Sequence, residues 1–216
     1  MRVEINVPET LADITLGQYQ KFLEIQKKNE DERFLQVKMI EIFCKVPSDV
    51  VLNMKLSDTT AIIEMLSEVL NSKHQLVQRT KLNGKDYGFI PKLEDISLGE
   101  YIDLDSYITD WETMHIAMNV LYRPIKHKYG ERYSIEDYKS SDSIHMKDLT
   151  MDCVMGGLLF FYNLGTDLSK AILNYSKEAE QENIVQYLSS DKSGVGINQY
   201  THSLLEILHD LKISLN

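Results

Sequence analysis

Cysteine is scarce in this chain, which contains only Cys44 and Cys153 among its 216 residues. Each cysteine stands within an apolar run, so we expect two small buried side chains rather than a disulfide framework, a metal site or a redox pair. Such cysteine usage is compatible with synthesis in a reducing cytoplasm.

The chain is also poor in positive charge and in long apolar runs. The formal net charge is −10 at pH 7, which disfavours a general affinity for nucleic acid or for an anionic membrane. The longest apolar run, 153–162, is too short to cross a bilayer, and residues 1–8 lack the apolar core of a signal peptide. The sequence therefore predicts no membrane partner.

The common signatures of catalysis are missing as well. The chain has no P-loop, no G-x-G-x-x-G, no G-x-S-x-G and no spaced Cys/His set for a metal. We therefore predict a protein that is not an enzyme and that needs no cofactor, with no catalytic and no metal-binding residue to assign.

Two weaker patterns leave a small metal-dependent enzyme as the alternative. His202, Glu206 and His209 share one face of the last predicted helix, where they could hold zinc or act as an acid–base pair. The H-E-x-x-H spacing is absent and leucines occupy the opposite face, so outward-facing side chains are the preferred interpretation. Asp103 and Asp105 have D-x-D spacing, but residues two apart on a helix point in different directions, which predicts a solvated helix edge.

The chain does contain one nine-residue stretch written twice. LADITLGQY covers residues 11–19 and LEDISLGEY covers 93–101, with six of the nine positions identical. Thr15 with Gln18 fits the capping box of a helix start, in which each side chain accepts a hydrogen bond from the other residue's backbone N–H. Ser97 with Glu100 fits the same box.

Each copy also has the hydrophobic staple, Ile14 with Tyr19 and Ile96 with Tyr101, which fixes the angle at which the chain enters the helix. The two copies are too far apart in sequence for a solenoid or a propeller. Either an ancient duplication or convergence on a good start signal accounts for the repeat.

The pattern along the chain predicts a mainly α fold, a helical bundle-like domain with a small antiparallel β-hairpin element. Asn83-Gly84 is the strongest hairpin signal, because both central residues of a type I′ turn need a positive φ. We predict a single domain over 1–216, or alternatively two related halves, 1–91 with a terminal hairpin and 92–216 helical.

Helices are predicted over 15–28, 31–45, 58–71 with Ser57-Asp58 as its cap, 98–110, 111–122, 147–163, 167–175, 178–188 and 201–213, with a turn of helix over 48–53. Strands are predicted over 75–81 and 86–90, with 3–7 as a third, and a loop over 126–145. Gly156 and Gly157 interrupt an apolar helix and predict close approach by a neighbouring backbone, and Gly165 is predicted to end that helix.

One basic cluster with interleaved aromatic residues begins beside Pro124. Its combination of charge and rings suits a phosphate backbone or an acidic partner surface, so we expect any nucleic-acid contact to be local. The alternative is that the cations only offset Glu131, Glu136 and Asp137. The predicted contact residues are Arg123, Lys126, Lys128, Tyr129 and Arg132.

Three stretches carry a resemblance to a known group of proteins. They are 13–22 (DITLGQYQKF), 89–105 (FIPKLEDISLGEYIDLD) and 118–125 (MNVLYRPI). Together they resemble small helical structural and assembly proteins of tailed bacteriophages, closest to those of crAss-like and related phages. The resemblance includes no catalytic motif and transfers no site residue.

The resemblance implies a virion or assembly protein without enzymatic activity, and a ring-forming head–tail connector between portal and tail is the preferred role. A tail or baseplate assembly chaperone and a protein packaged in the capsid are the alternatives. The implied partners are portal, tail or neighbouring ring proteins, and further copies of this chain as a homo-oligomer. The implied location is the virion, after synthesis in the cytoplasm of a bacterial host.

Overall fold

The computed structural model describes residues 4–93, 96–140 and 143–178, with side chains as far as Leu164. Its helices are α1 (Leu16–Lys28), α2 (Glu32–Phe43), α3 (Ser48–Leu52), α4 (Leu56–Leu70), α5 (Leu98–Tyr107), α6 (Met114–Leu121) and α7 (Met151–Glu178). Its strands are β1 (Arg79–Leu82), β2 (Lys85–Phe89), β3 (Tyr122–Tyr129) and β4 (Arg132–Ile135). The predicted helix-dominated fold with a small antiparallel β element is confirmed.

Both copies of the repeated stretch begin a helix through a capping box. At α1, Thr15 Oγ1 accepts from Gln18 N at 3.3 Å, and Gln18 Oε1 accepts from Thr15 N at 3.0 Å. At α5, Ser97 Oγ accepts from Glu100 N at 3.3 Å, and Glu100 Oε2 accepts from Ser97 N at 2.7 Å. These bonds satisfy backbone donors that a helix start otherwise leaves unpaired, and both predicted caps are confirmed.

Each longer capping side chain also reaches a second element. Gln18 Nε2 donates to the carbonyl of Ile42 in α2 at 2.6 Å. Glu100 Oε1 forms an ion pair with Arg123 Nη1 of β3, also at 2.6 Å. The repeat therefore does more than start helices, because it fixes each helix against a different neighbour.

The four strands form one antiparallel sheet in the order β1-β2-β3-β4. The first hairpin has the predicted turn, since Asn83 has φ +49° and Gly84 has φ +79°, as a type I′ turn requires. β2 pairs with β3 from Tyr87↔Pro124 to Phe89↔Tyr122. That pairing joins a strand of the first predicted half to a strand of the second.

The predicted loop over 126–145 is wrong for its first ten residues, which belong to a second hairpin of β3 and β4. Gly130 has φ +63° at the first central position of the two-residue turn, the position that type II′ reserves for glycine. Residues 126–130 are exposed, so this end of the hairpin lacks the apolar alternation that marks a half-buried strand. The second half, predicted as helical, thus contributes two strands.

Three other boundary predictions are wrong. Residues 4–7 form no strand, and α4 begins at Leu56 with Lys55 at its N-cap, so Ser57-Asp58 is not the cap. α7 continues through Gly165 to Glu178, because one helical glycine costs only about 1 kcal/mol. Helices predicted beyond residue 178 lie outside the described residues, and so do His202, Glu206 and His209.

The first two turns of α7 are buried against the sheet and the start of α1. Tyr122, fully buried on β3, has its hydroxyl 2.7 Å from the carbonyl of Val77 and 3.3 Å from that of Cys153. Cys44 and Cys153 are free and buried as predicted, and burial raises the pKa of each thiol to about 11. Neither thiol is therefore a reactive nucleophile at neutral pH.

Of the adjacent glycines Gly156 and Gly157 in α7, only Gly156 is needed for a close approach. A Cβ added there would lie 2.3 Å from the carbonyl oxygen of Gln75, whereas at Gly157 the nearest atom, on Phe89, is 3.8 Å away. The segment before β1 therefore crosses α7 directly over Gly156, as predicted for one of the two positions.

We expect Gly156→Ala and Gly157→Ala to change stability in opposite directions. The first forces backbone apart and should lower the free energy of unfolding by about 1–3 kcal/mol. The second removes the helix penalty of glycine and should raise it by up to about 1 kcal/mol. Urea unfolding of both variants tests this, and equal effects would contradict the close approach.

Replacing Thr15 or Ser97 with Ala should cost about 1 kcal/mol each. The double variant should be additive within about 0.5 kcal/mol, because the two boxes bond to different elements. Ser57→Ala, at the position wrongly predicted as a cap, is the control and should stay within about 0.5 kcal/mol of the parent. Coupling beyond that range would mean that the two helix starts share an interaction.

Candidate functional site

The β3–β4 hairpin folds back over one face of the sheet. Glu131, in its turn, forms an ion pair with Arg79 of β1 at 2.6 Å. Arg79 and Arg123 both lie opposite Gly88, whereas Glu131 lies in the turn that follows β3, so β3 must bend for this pair to form. A β-bulge between Ile125 and His127 supplies the bend.

Tyr133 of β4 holds the folded hairpin in place. Its ring lies so close to Gly88 that a Cβ at that glycine would be 2.3 Å from the ring. Its hydroxyl is 2.7 Å from the carbonyl of Phe89 and 3.0 Å from that of Gln78. Burial raises the pKa of Tyr133, so the hydroxyl remains protonated as a donor.

The five predicted contact residues divide into two groups. Arg123 is paired with Glu100, and Lys128 with Asp86 at 2.5 Å, so these two cations are engaged within the chain. The other three, Lys126, Tyr129 and Arg132, are exposed, Tyr129 to 71%. Among the described residues neither Lys126 nor Arg132 makes an ion pair. We call these three residues the hairpin end.

The structure does not support the alternative interpretation of the cluster, in which its cations offset Glu131, Glu136 and Asp137. Glu131 pairs with Arg79, which lies outside the cluster. Glu136 and Asp137 are exposed and form no ion pair within the described part of the chain. The hairpin end therefore keeps its positive charge at the surface.

The two copies of the repeat differ sharply in burial. In α1, Leu16 is 0% and Tyr19 is 5% exposed, and the Tyr19 ring meets the Trp111 ring edge-on at 4.9 Å. The equivalent side chains in α5 are exposed, Leu98 to 74% and Tyr101 to 42%. The same motif is thus covered in one place and uncovered in the other.

Backbone contacts show the same contrast. Leu16 N donates to the carbonyl of Leu149 at 2.8 Å, and a Cβ on Gly17 would lie 3.1 Å from the carbonyl oxygen of Lys147. A Cβ on Gly99, the equivalent of Gly17, would have no described atom within 4 Å. Nothing described lies over the start of α5.

The uncovered side of α5 is a continuous stripe. Leu98, Tyr101, Ile102 and Asp105 follow the spacing i, i+3, i+4 and i+7 of one helix face, and Ile102 is 52% exposed. Glu100 and Leu104 face the opposite way and are buried. We call this stripe the α5 face; composition did not reveal it, and its only sequence signal was the repeat.

The D-x-D pair does not converge on one point. Asp103 accepts a hydrogen bond from the Tyr138 hydroxyl at 2.7 Å, whereas Asp105 belongs to the α5 face. Among the described residues, no group of three His, Cys, Asp or Glu side chains is arranged to hold a metal ion. Nor does any helix in that part of the chain have the length and hydropathy to cross a bilayer.

The Glu100–Arg123 pair is the most buried ion pair in the described chain, with side chains 7% and 11% exposed. Burial raises the pKa of Glu100, but the hydrogen bonds from Ser97 and the charge of Arg123 outweigh it, so the pKa lies below its usual 4.5. The carboxylate is therefore ionised at neutral pH.

No protein-family model, curated protein or solved structure matches this chain.

Acid should weaken the fold through Glu100. Because its pKa is lowered on folding, the carboxylate stabilises the native state above about pH 4.5, and this contribution is lost as the pH falls through the folded value. Glu100→Gln should cost about 3 kcal/mol at pH 7, because it leaves Arg123 without a counter-charge.

Unfolding in urea at pH 7 and at several values below pH 4.5 measures the effect. The difference between parent and Glu100→Gln should shrink as the pH falls. Asp86→Asn, which breaks the exposed pair with Lys128, is the matched control and should change stability far less at either pH. A constant difference across the pH range would contradict the assignment.

Proposed function

We propose that this protein is a non-enzymatic structural or assembly protein of a tailed phage and that it works through protein–protein contact. Its leading role is that of a ring-forming connector between portal and tail. The observation that carries the contact role is the α5 face, where Leu98 and Tyr101, whose counterparts in the first copy of the motif are buried, are exposed together with Ile102.

An uncovered apolar stripe costs solubility, and soluble proteins seldom keep one without a partner. The three side chains share one rigid helix turn, so little conformational entropy is lost when a partner covers them. The capping box and the buried Glu100–Arg123 pair hold that turn in place. A rigid apolar stripe with one acidic residue suits recognition of another protein.

The phage setting comes from the resemblance of residues 13–22, 89–105 and 118–125. In that setting the partners are portal, tail or neighbouring ring proteins and further copies of this chain. The hairpin end adds a small basic surface, and nucleic-acid contact is confined to it, because the chain as a whole carries a net charge of −10.

Mass spectrometry of purified virions tests the proposal. A structural protein is present at a fixed copy number per particle, whereas an assembly factor occurs in infected-cell lysate and is lost from mature virions. In either case, Leu98→Ser/Ile102→Ser should reduce its recovery with phage proteins. Leu56→Ser, at a leucine that is 82% exposed away from α5, is the matched control.

Stoichiometric zinc in the purified protein, lost in a His202→Ala/His209→Ala variant, would contradict the non-enzymatic assignment. Unchanged recovery of Leu98→Ser/Ile102→Ser with phage proteins would contradict the role of the α5 face.

A further inference from the structure

The first copy of the repeat, at α1, shows which groups pack over the apolar positions of the motif. Over the start of α1 lie the aromatic ring of Trp111, the Cβ and carbonyl of Lys147, and the extended backbone at Thr150, which bridges to Thr15. An aromatic ring and a stretch of extended backbone therefore cover these positions in α1, and a segment that offers both would suit the same positions on α5.

The hairpin end offers these groups on the surface of the same chain. Tyr129 presents a largely exposed ring at the end of a strand, and Lys126 and Arg132 present cations without ion-pair partners in the described chain. The strand backbone itself is extended, as the backbone at Leu149 and Thr150 over α1 is.

The charges of the two surfaces are complementary. Asp105 lies within the α5 face and is exposed. The Tyr138–Asp103 hydrogen bond holds the adjoining segment, with the exposed carboxylates of Glu136 and Asp137, beside α5. Acidic groups therefore border an apolar stripe at one site, and basic groups border a tyrosine at the other.

Within the described chain the two surfaces do not cover each other, because Leu98 and Ile102 on α5 and Tyr129 at the hairpin end are all exposed. The Glu100–Arg123 pair fixes α5 at the first residues of β3, whereas Tyr129 lies at the other end of that strand, beyond the bulge between Ile125 and His127. A second copy of the chain can supply the surface that each of them lacks.

We propose that the hairpin end of one copy docks on the α5 face of the next, in a head-to-tail interface. Tyr129 covers Leu98 and Ile102, and Arg132 pairs with Asp105. Such an interface uses two different patches, so each bound copy still presents one free patch of each kind, and the assembly grows into a ring or a filament. This inference rests on the proposed contact role and names the partner of the α5 face.

Sedimentation equilibrium of the purified full-length chain, with two variants, tests it. One variant, Leu98→Ser/Ile102→Ser, removes the α5 face, and the other, Tyr129→Ser/Arg132→Ser, removes the hairpin end. Wild type should show mass above the monomer that falls as salt is raised. Each variant alone should associate at least about tenfold more weakly.

An equimolar mixture of the two variants is the decisive sample. One intact α5 face and one intact hairpin end remain in that mixture, so it should form a one-to-one dimer and nothing larger. Leu56→Ser should associate as wild type does, and circular dichroism should show all variants folded, because every replaced side chain is exposed.

Monomeric wild type, unaltered association of either variant, or a mixture that stays monomeric would overturn the head-to-tail interface. Wild type that is monomeric in solution but present in virions would overturn this inference alone and leave the proposed function standing. If the protein is absent from phage fractions but still self-associates, the proposed function is wrong and this inference stands.

Discussion

The link from Ser97 through Glu100 to Arg123 decides how the second helix start sits in the molecule. The capping box places the Glu100 side chain at the beginning of α5, and the ion pair turns it into the interior against β3. Since Leu98 and Ile102 lie on the opposite side of the same turn, burying Glu100 points them away from β3. The buried pair therefore sets which side of α5 is turned outward.

In the first copy of the motif, the side chain that completes the capping box is neutral. Gln18 completes its box and then donates to the carbonyl of Ile42, so α1 is fixed against α2 without a charge. Its outer side is closed by Trp111 and by the chain before α7. The same capping box therefore begins a buried helix at α1 and an exposed helix at α5. The difference comes from the elements that pack over each helix start.

Local signals made part of the fold predictable. The capping boxes and the Asn83-Gly84 turn depend on side-chain and backbone preferences within four residues, and both form as predicted. The β3–β4 hairpin could not be predicted because its exposed end has no apolar alternation. Gly130 also follows lysines and a histidine, which are typical of a loop. The end of α7 was misplaced because a single glycine does not stop an otherwise favourable helix.

The candidate site was predictable only in its basic part. The cluster beside Pro124 was visible in the sequence, but charge alone could not show that Arg123 and Lys128 are engaged with Glu100 and Asp86. The exposure of Leu98 and Tyr101 on the α5 face could not be predicted either, because the same residue types at the same motif positions are buried in α1. Burial is set by what packs over a motif, which the motif does not contain.

The proposed contact role depends most on the α5 face being covered by another polypeptide when the protein works. A photoreactive side chain in place of Ile102, activated in infected cells, tests this directly, with the same group in place of Leu56 for comparison. We expect a discrete cross-linked protein adduct from position 102 and little from position 56. An α5 face that yields no adduct, or only the diffuse pattern of position 56, would contradict it.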